Sequence, residues 1–253
     1  MDDCLIATAE GELTLHWQMN HRLLNLFEEN FYFLKPSKCI FEQPEVDFLG
    51  VRLGHGKISI NPSKIVGIKD WPTTLHSIKE VCSTLRVLGF QQSFIPGFTG
   101  IAKPLTSLLK KNITFNWMLD CTKALKQLIT IITSEPVLVP PDQERQFILE
   151  VNASQYATGA ILYQADKKLT DRRGKPILWP CRYHSQTFSA MEQQYPIYNC
   201  KFLAVIRGLK HWDYLLKCAK HPILVITDHA NLTYYRHPHK IGLCVAGYIA
   251  EYE

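Results

Sequence analysis

The chain has 253 residues, enough for one large domain or two small ones. Its 46% hydrophobic and 20% charged residues are typical of a globular protein and exclude collagen-like, low-complexity and coiled-coil structures. No apolar run is as long as a membrane span, and residues 1–4 are acidic where a signal peptide is basic. Eight cysteines without a CxxC pair favour free thiols in a reducing compartment. We therefore expect an intracellular protein with no membrane partner.

The net charge of +5 is unevenly distributed along the chain. Residues 1–60 carry nine acidic and five basic side chains, residues 61–140 carry four and nine, and residues 141–253 carry 10 and 14. A basic middle and end could follow a phosphate backbone, although excesses of this size are also typical of ordinary solvated surface.

Mixed helices and strands are predicted for the first 60 residues. An apolar run over residues 4–8 predicts a buried strand. Apolar side chains at steps of three to four over residues 13–31 predict a helix with one face turned to a core. Further strands are predicted at residues 38–41, 46–51 and 57–60. The last two are joined by Gly54-His55-Gly56, which is typical of a hairpin turn.

Residues 61–140 are predicted to be mostly helical. Asn61-Pro62-Ser63 is typical of a helix start, and proline-containing breaks divide the helices that follow as far as residue 133. Prolines within residues 135–142 stop helices and stiffen the chain, so this segment is predicted to be a linker. We expect a domain boundary there.

The last part of the chain predicts strands around one long helix. Strands are predicted at residues 147–152, 160–163 and 222–226. The first two form a hairpin with its turn at Gly159, the helix covers residues 198–216, and the last strand is buried and ends at Asp228. This order resembles a nuclease-type α/β layer. The predicted fold class is α/β (α+β), in three domains: 1–60, 61–140 and 141–253.

Carboxylates beside predicted strands are candidate metal ligands. Asp2 and Asp3 stand next to the first strand, and Asp228 ends the last one. Mg²⁺ prefers carboxylate oxygens, and substrate phosphates can complete its coordination. An acidic pair near a terminus is also typical of solvated surface, and Asp228 is also typical of a turn or cap residue. Neither position is decisive alone.

Several short motifs occur in the order in which they occur in one known family. Residues 1–8 resemble the end of the reverse-transcriptase YxDD box with its following strand. Motifs that resemble the primer-end region are at residues 48–50 and 57–60. Motifs that resemble the thumb and connection are at residues 86–90, 94–98, 102–105 and 115–117. Motifs that resemble the ribonuclease H-like domain are at residues 136–138, 151–154, 203–205 and 227–229.

Taken together, the motifs resemble the Pol polyprotein of gypsy-type LTR retrotransposons. The resemblance implies the carboxy-terminal part of a reverse-transcriptase palm, a helical thumb and connection, and a ribonuclease H-like mixed sheet with helices, truncated at both ends. It also implies the family's activities, which are RNA-directed DNA synthesis and Mg²⁺-dependent hydrolysis of RNA in RNA–DNA hybrids. The implied partner is nucleic acid, either an RNA–DNA hybrid or a DNA duplex. The oligomeric state stays open.

The polymerase site implied by the resemblance is incomplete. Asp2 and Asp3 match the family's aspartate pair, but the third palm aspartate belongs to an upstream strand that this sequence lacks. Without the fingers and the nucleotide-binding half of the palm, nothing positions a triphosphate. We therefore expect no polymerisation by this chain alone.

The ribonuclease H site implied by the resemblance is also altered. Its first aspartate falls on Asn152, its helical glutamate on Lys201 and its second aspartate on Asp228, and the fourth position lies beyond Glu253. Two unit charges about 4 Å apart repel by about 4 kcal/mol at an effective dielectric of about 20, and Mg²⁺ carries two. We expect no tightly bound Mg²⁺ and no cleavage. The alternative is that the helix register is off by one residue and Lys201 lies at the surface.

Nucleic-acid binding, unlike cleavage, needs no metal. Phosphate contacts are predicted for basic side chains of the thumb-like region: Lys64, Lys69, Lys103, Lys110 and Lys111. Solvated helix faces are the alternative.

Asn152 and Lys201 each differ from the family residue by one G-to-A codon change, which is typical of a decaying element. Three functions stay open: an eroded fragment without a role, a non-catalytic nucleic-acid-binding module, and an enzyme that needs the absent segments.

Overall fold

Two β-sheets, each packed against helices around its own core, organise the chain. The structure, a computed structural model, describes residues 3–8, 11–111 and 113–228. The first core extends from Ile58 to Leu138 along the sequence, and the second from Phe147 to Leu216. The predicted mixture of helices and sheets is confirmed.

The first sheet has the strand order β1-β2-β3-β4, and all of its pairings are antiparallel. Its strands are β1 (Glu45–Phe48), β2 (Val51–Gly54), β3 (Lys57–Ile60) and β4 (Val137–Leu138). The predicted hairpin between β2 and β3 is confirmed, and its turn residues His55 and Gly56 both have positive φ. The strand predicted at residues 46–51 is instead two strands, because Leu49 and Gly50 turn the chain with φ values of 48° and 82°.

The region before this sheet differs from the prediction. Residues 3–8 have no regular secondary structure, and residues 36–38 form a short 3-10 helix followed by extended chain, so the strands predicted at 4–8 and 38–41 are wrong. The first helix, α1 (Leu13–Glu29), is confirmed as a helix. Its predicted packing is wrong, because Asn20 is the one buried residue of this fully described helix. Spacing indicates an apolar face, but it does not supply a surface to cover that face.

The helical region predicted after residue 61 is confirmed. Its helices are α2 (Pro62–Lys69), α3 (Ile78–Phe90), α4 (Phe98–Ile101), α5 (Lys103–Ser107) and α6 (Leu119–Thr133). The Asn61 side chain caps α2 by accepting a hydrogen bond from the Ser63 backbone N–H at 2.8 Å. Ser77 caps α3 by accepting a hydrogen bond from the Glu80 N–H at 3.2 Å, and the Glu80 carboxylate accepts from the His76 N–H at 2.9 Å. The buried side chains of α3, α5 and α6 belong to the same first core as those of β3 and β4.

The segment predicted as a linker is part of the structure on both sides. Its residues Val137 and Leu138 form β4, which pairs with β3 and completes the first sheet. The Val139 backbone N–H donates to the Pro180 carbonyl at 3.0 Å. Further along, the fully buried Gln164 accepts from the Asp142 N–H at 2.9 Å and donates to its carbonyl. The prolines therefore end a helix, but strand pairing and hydrogen bonds hold the segment that follows, so it is not a flexible linker.

The second sheet has the order β7-β6-β5-β8, in which only the β5–β8 pairing is parallel. Its strands are β5 (Phe147–Ala153), β6 (Ala157–Thr170), β7 (Pro176–Thr187) and β8 (Leu224–Thr227). The hairpin predicted from the first two strands is confirmed, but Gly159 lies inside β6 opposite Asn152, so the predicted turn position is wrong. Strand β7 was not predicted, because Pro176, Pro180 and polar side chains interrupt its alternation.

We refer to the first sheet with α2–α6 as the first unit, and to the second sheet with α7 and α8 as the second unit. The helix predicted for the second unit is confirmed, although it is divided. Helix α7 (Ile197–His211) is followed at Trp212 by α8 (Asp213–Leu216), where a single helix over 198–216 was predicted. Helix α7 packs on β5 and β6, and a Cβ added at Gly208 would lie 3.2 Å from Cδ1 of Leu149. The absence of a side chain at Gly208 therefore allows the close approach of helix and sheet.

Two further observations concern the cellular compartment that is predicted from the sequence. Among the residues that the structure describes, no helix combines the length and the hydropathy of a bilayer-spanning segment. The seven cysteines in the same ranges are free thiols. The compartment itself stays a prediction.

Candidate functional site

The parallel strands β5 and β8 bring Asn152 and Asp228 to the same edge of the second sheet. Val151 pairs with Thr227 in the register of the two strands, and Asn152 and Asp228 follow directly. The edge is formed by the carboxyl ends of both strands, a place where α/β sheets often bind ligands. Strand β8 is not buried as predicted, because Leu224, Val225 and Ile226 are 36–47% exposed.

Lys201 reaches this edge from α7. Its Nζ lies 2.5 Å from Oδ1 of Asp228, and the two side chains are 13% and 56% exposed. The alternative in which Lys201 is a solvated surface lysine is therefore wrong. The structure brings Lys201 and Asp228 together as an ion pair between helix and strand.

Asn152 offers little to a cation in this arrangement. Its side chain is exposed, and its Oδ1 accepts a hydrogen bond from the Ala153 backbone N–H at 2.7 Å. The side-chain carbonyl that would serve as a neutral ligand thus already accepts one hydrogen bond. An Asn amide also lacks the negative charge that a Mg²⁺ site needs most.

The residues present do not fit the Mg²⁺ ion that the resemblance implies. The three positions hold an amide, an ammonium group and one carboxylate, and the ammonium group is bonded to the carboxylate. Within residues 3–8, 11–111 and 113–228, no three His, Cys, Asp or Glu side chains converge where they could hold a metal ion. A divalent cation here would meet the Lys201 charge at short range.

Of the two amino-terminal carboxylates, the structure describes only Asp3. Asp2 lies outside the described residues, as does His229 of the motif at 227–229. Asp3 is exposed in a segment without regular structure. An open cleft of about 1030 Å³ lies beside this segment, and its lining includes Thr8, Pro140 and Arg182 but not Asp3. The roles predicted for Asp2 and Asp3 stay predictions.

The five lysines predicted to contact phosphates divide into two groups. Lys64, Lys69, Lys110 and Lys111 are exposed. Lys103 is partly buried, and its Nζ lies 2.8 Å from the centre of the Tyr156 ring. Lys103 therefore joins the helical region to the second sheet by a cation–π contact.

Polar contacts that the sequence did not reveal join the helical region to the second sheet and also connect residues around that sheet. Thr99 donates through its backbone N–H to Ser185 Oγ at 3.0 Å and through its hydroxyl to the Ser185 carbonyl, which links α4 to β7. Arg207 donates to both carboxylate oxygens of Glu192, at 2.8 and 2.9 Å, from a largely buried position. Ser189 and Glu192 form a capping box, and the Ser-x-x-Glu pattern is a sequence signal that could have indicated Glu192.

A histidine pair lies beside this contact. The rings of His184 and His211 stack at 3.7 Å next to the buried Trp212. Burial, with the neighbouring His211 and Arg207, lowers the pKa of His184 to about 4. Burial also lowers the pKa of His211. Both imidazoles are therefore neutral at pH 7.

Comparison with known proteins agrees with this arrangement. Residues 117–225 match the profile of the RNase H-like domain found in reverse transcriptase. The second sheet as far as Val225, together with α7 and α8, lies within this matched range and is similar to the RNase H-like domain found in reverse transcriptase.

The chain as a whole is similar to retrotransposon polyproteins. It is 30% identical over 233 residues to the transposon Tf2-3 polyprotein of Schizosaccharomyces pombe, and equally to the Tf2-7 polyprotein of the same yeast. The match covers 92% of this chain and 17% of either polyprotein. The chain therefore spans about a sixth of the length of these relatives.

Solved structures of a foamy viral protease-reverse transcriptase share the fold. The complex with an RNA/DNA hybrid has a TM-score of 0.74 at 20% identity and covers 98% of this chain and 33% of that one. The dRH form in complex with double-stranded DNA has a TM-score of 0.73 at 20% identity and covers 96% of this chain and 42% of that one. At this identity the likeness shows the fold alone.

Proposed function

We propose that this chain is a nucleic-acid-binding part of a retrotransposon-type reverse transcriptase whose RNase H-like domain does not cleave RNA. The observation that carries the proposal is the ion pair between Lys201 and Asp228 at the edge formed by β5 and β8. Hydrolysis by this class of domain uses divalent ions to stabilise the attacking and leaving oxygens of a phosphate. A site that holds an ammonium group instead has no means of generating hydroxide from water.

Binding is assigned to the exposed basic side chains of the helical region. Lys64 and Lys69 lie on α2, and Lys110 and Lys111 follow α5, all with exposed side chains. Phosphate contacts by such lysines require neither a metal nor a base sequence. The foamy viral relatives of this fold were solved with an RNA/DNA hybrid and with double-stranded DNA, which supports a duplex as the ligand.

The experiment measures the affinity of the whole chain for a fluorescent RNA–DNA hybrid between 50 and 200 mM KCl. We expect the logarithm of the affinity to fall linearly with the logarithm of the salt concentration. Replacing Lys64, Lys69, Lys110 and Lys111 by Gln should weaken binding and reduce the slope by up to about four. Binding that does not depend on salt, or no binding, contradicts the proposal and favours an eroded fragment.

The matched control removes the same charge elsewhere on the surface. It replaces four other exposed lysines by Gln: Lys57, Lys175, Lys217 and Lys220. The control should retain most of the salt slope. An equal loss in both variants would show that the effect is one of net charge and not of a binding surface.

Cleavage is tested on the same hybrid with 10 mM Mg²⁺ or Mn²⁺. We expect the ribonucleotide strand to stay intact when the chain is in excess. Degradation that stops on addition of a chelator would overturn the non-catalytic assignment. Cleavage that appears only in a longer polyprotein would favour an enzyme that needs additional segments.

A further inference from the structure

The ion pair between Lys201 and Asp228 connects elements that are otherwise weakly joined. Lys201 is on α7, and Asp228 follows β8, 27 residues later in the sequence. Among the residues that the structure describes, β8 is the last strand of its sheet, and its four residues all pair with β5. Its apolar side chains Leu224 and Ile226 are 47% and 41% exposed. The ion pair is therefore a direct link between this strand and the helix.

The position of the ammonium group is fixed by its surroundings. The Lys201 side chain is 13% exposed, so its stem is packed and its charged end is directed to the Asp228 carboxylate. The carboxylate itself is 56% exposed, at the edge where Asn152 also lies. One positive charge thus lies at the point where the two parallel strands end.

We propose that Lys201 is the resident cation of this site, in place of a divalent ion. Its ammonium group neutralises Asp228 and holds β8 to α7, and it excludes a divalent ion by occupying the carboxylate and by charge repulsion. Lys201 is a positioning residue in this role. The inference rests on the same ion pair as the non-catalytic part of the proposed function, but not on the proposed nucleic-acid binding. Unfolding with and without Mn²⁺ tests the exclusion of the ion, whereas the cleavage and binding assays test the proposed function.

The proposal predicts that two substitutions convert the site. Replacing Lys201 by Glu removes the cation, and replacing Asn152 by Asp adds a second acidic side chain next to Asp228. Three carboxylates at one edge are a suitable ligand set for Mn²⁺ or Mg²⁺. In the unchanged chain, neither ion should alter stability.

The first experiment measures thermal unfolding of the full chain with and without 10 mM Mn²⁺. The unchanged chain should show the same Tm in both. The variant Asn152→Asp/Lys201→Glu should melt lower without metal and gain about 5 °C with Mn²⁺, if the dissociation constant is about 0.1 mM. A control with the same charge change, Asn152→Asp/Lys175→Glu, should gain nothing, since Lys175 is an exposed residue of the β6–β7 turn.

A second measurement covers the case in which the double variant does not fold. Lysines of the unchanged chain are acetylated for short times and quantified by mass spectrometry. Lys201 should react several-fold more slowly than Lys175, with no effect of Mn²⁺, and Asp228→Asn should raise its reactivity toward that of Lys175.

Three results would overturn the proposal. The first is a Tm of the unchanged chain that rises with Mn²⁺. The second is a folded double variant that does not respond to Mn²⁺. The third is a Lys201 that is acetylated as fast as Lys175.

Discussion

Helices α1 and α7 have similar spacings of apolar residues but lie in different environments. In α7, Cys200, Leu203 and Ala204 are at most 5% exposed and pack against the second sheet. In α1, Leu13 and Trp17 are 59% and 41% exposed. The difference teaches that periodicity predicts a helix with an apolar face, whereas burial of that face depends on a second surface.

The largest expected contrast between the two regions is in the cost of removing a leucine side chain. Leu149 of β5 is fully buried under α7, whereas Leu26 of α1 is 45% exposed. Leu149→Ala should lower the free energy of unfolding by about 2–5 kcal/mol, because it leaves a cavity. Leu26→Ala should change it by less than about 0.5 kcal/mol. Urea unfolding followed by circular dichroism measures both, and equal losses would contradict the contrast.

Ion pairs should differ between the regions in the same direction. Arg207 and Glu192 are 14% and 18% exposed, whereas Arg52 and Asp47 of the first sheet are 35% and 44% exposed. Arg207→Met should cost about 2 kcal/mol, because it leaves a largely buried carboxylate without this partner. Arg52→Met should cost less than about 1 kcal/mol. The same urea titrations test this, and a larger loss from Arg52→Met would reverse the interpretation.

Acid should destabilise the second unit through its histidine pair. The lowered pKa values of His184 and His211 mean that the native state disfavours their protonation. The unfolded chain takes up these protons near pH 6.5. The contribution of the neutral histidines to the free energy of unfolding is therefore fully present above that pH and is lost as the pH decreases toward 4. His184→Phe should reduce this loss between pH 7 and pH 5 in a series of thermal unfolding curves.

The matched control for this pH dependence is His76→Phe, since His76 is exposed in the first unit. The acid-induced loss of stability should persist in it.

Glu192 affects stability in a lower range of pH. Burial raises its pKa, but hydrogen bonds from Ser189 and the charge of Arg207 lower it more, so its contribution is lost only as the pH falls below 4.5.

The smallest expected effect concerns the contact between the two units. Tyr156→Leu removes the ring that faces the Lys103 ammonium group and should cost about 0.5–1 kcal/mol. The control Tyr214→Leu, at a ring that is 66% exposed, should cost less. If both changes have equal effects in thermal unfolding, the cation–π contact contributes nothing measurable.

Much of the second unit could be predicted because its signals are local. The strand at 147–152 alternates, and the helix at 198–216 has a clear apolar period. The close packing of that helix could not be predicted. Ala204 is 1% exposed, and a Cβ added at Gly208 would lie 3.2 Å from Leu149. Small side chains add little to a hydrophobic pattern, although they determine how near a helix can approach.

Strand β7 and the closing strand β4 could not be predicted because their stability is not local. β4 has two residues, and only its pairing with β3 makes it a strand. β7 contains Pro180 opposite Tyr163 at a bulge, which the neighbouring strand accommodates. Sheet hydrogen bonds between distant residues leave no periodic trace in either segment.

The sequence by itself determined the residue types of the candidate site and their family positions, because these depend only on motif order. It placed an amide at 152, an ammonium group at 201 and a carboxylate at 228. Only the tertiary structure decided that Lys201 is directed at Asp228 and not into solvent. That outcome depends on the packing of α7 against β5 and on the parallel register of β5 and β8, which join residues that are distant in the chain.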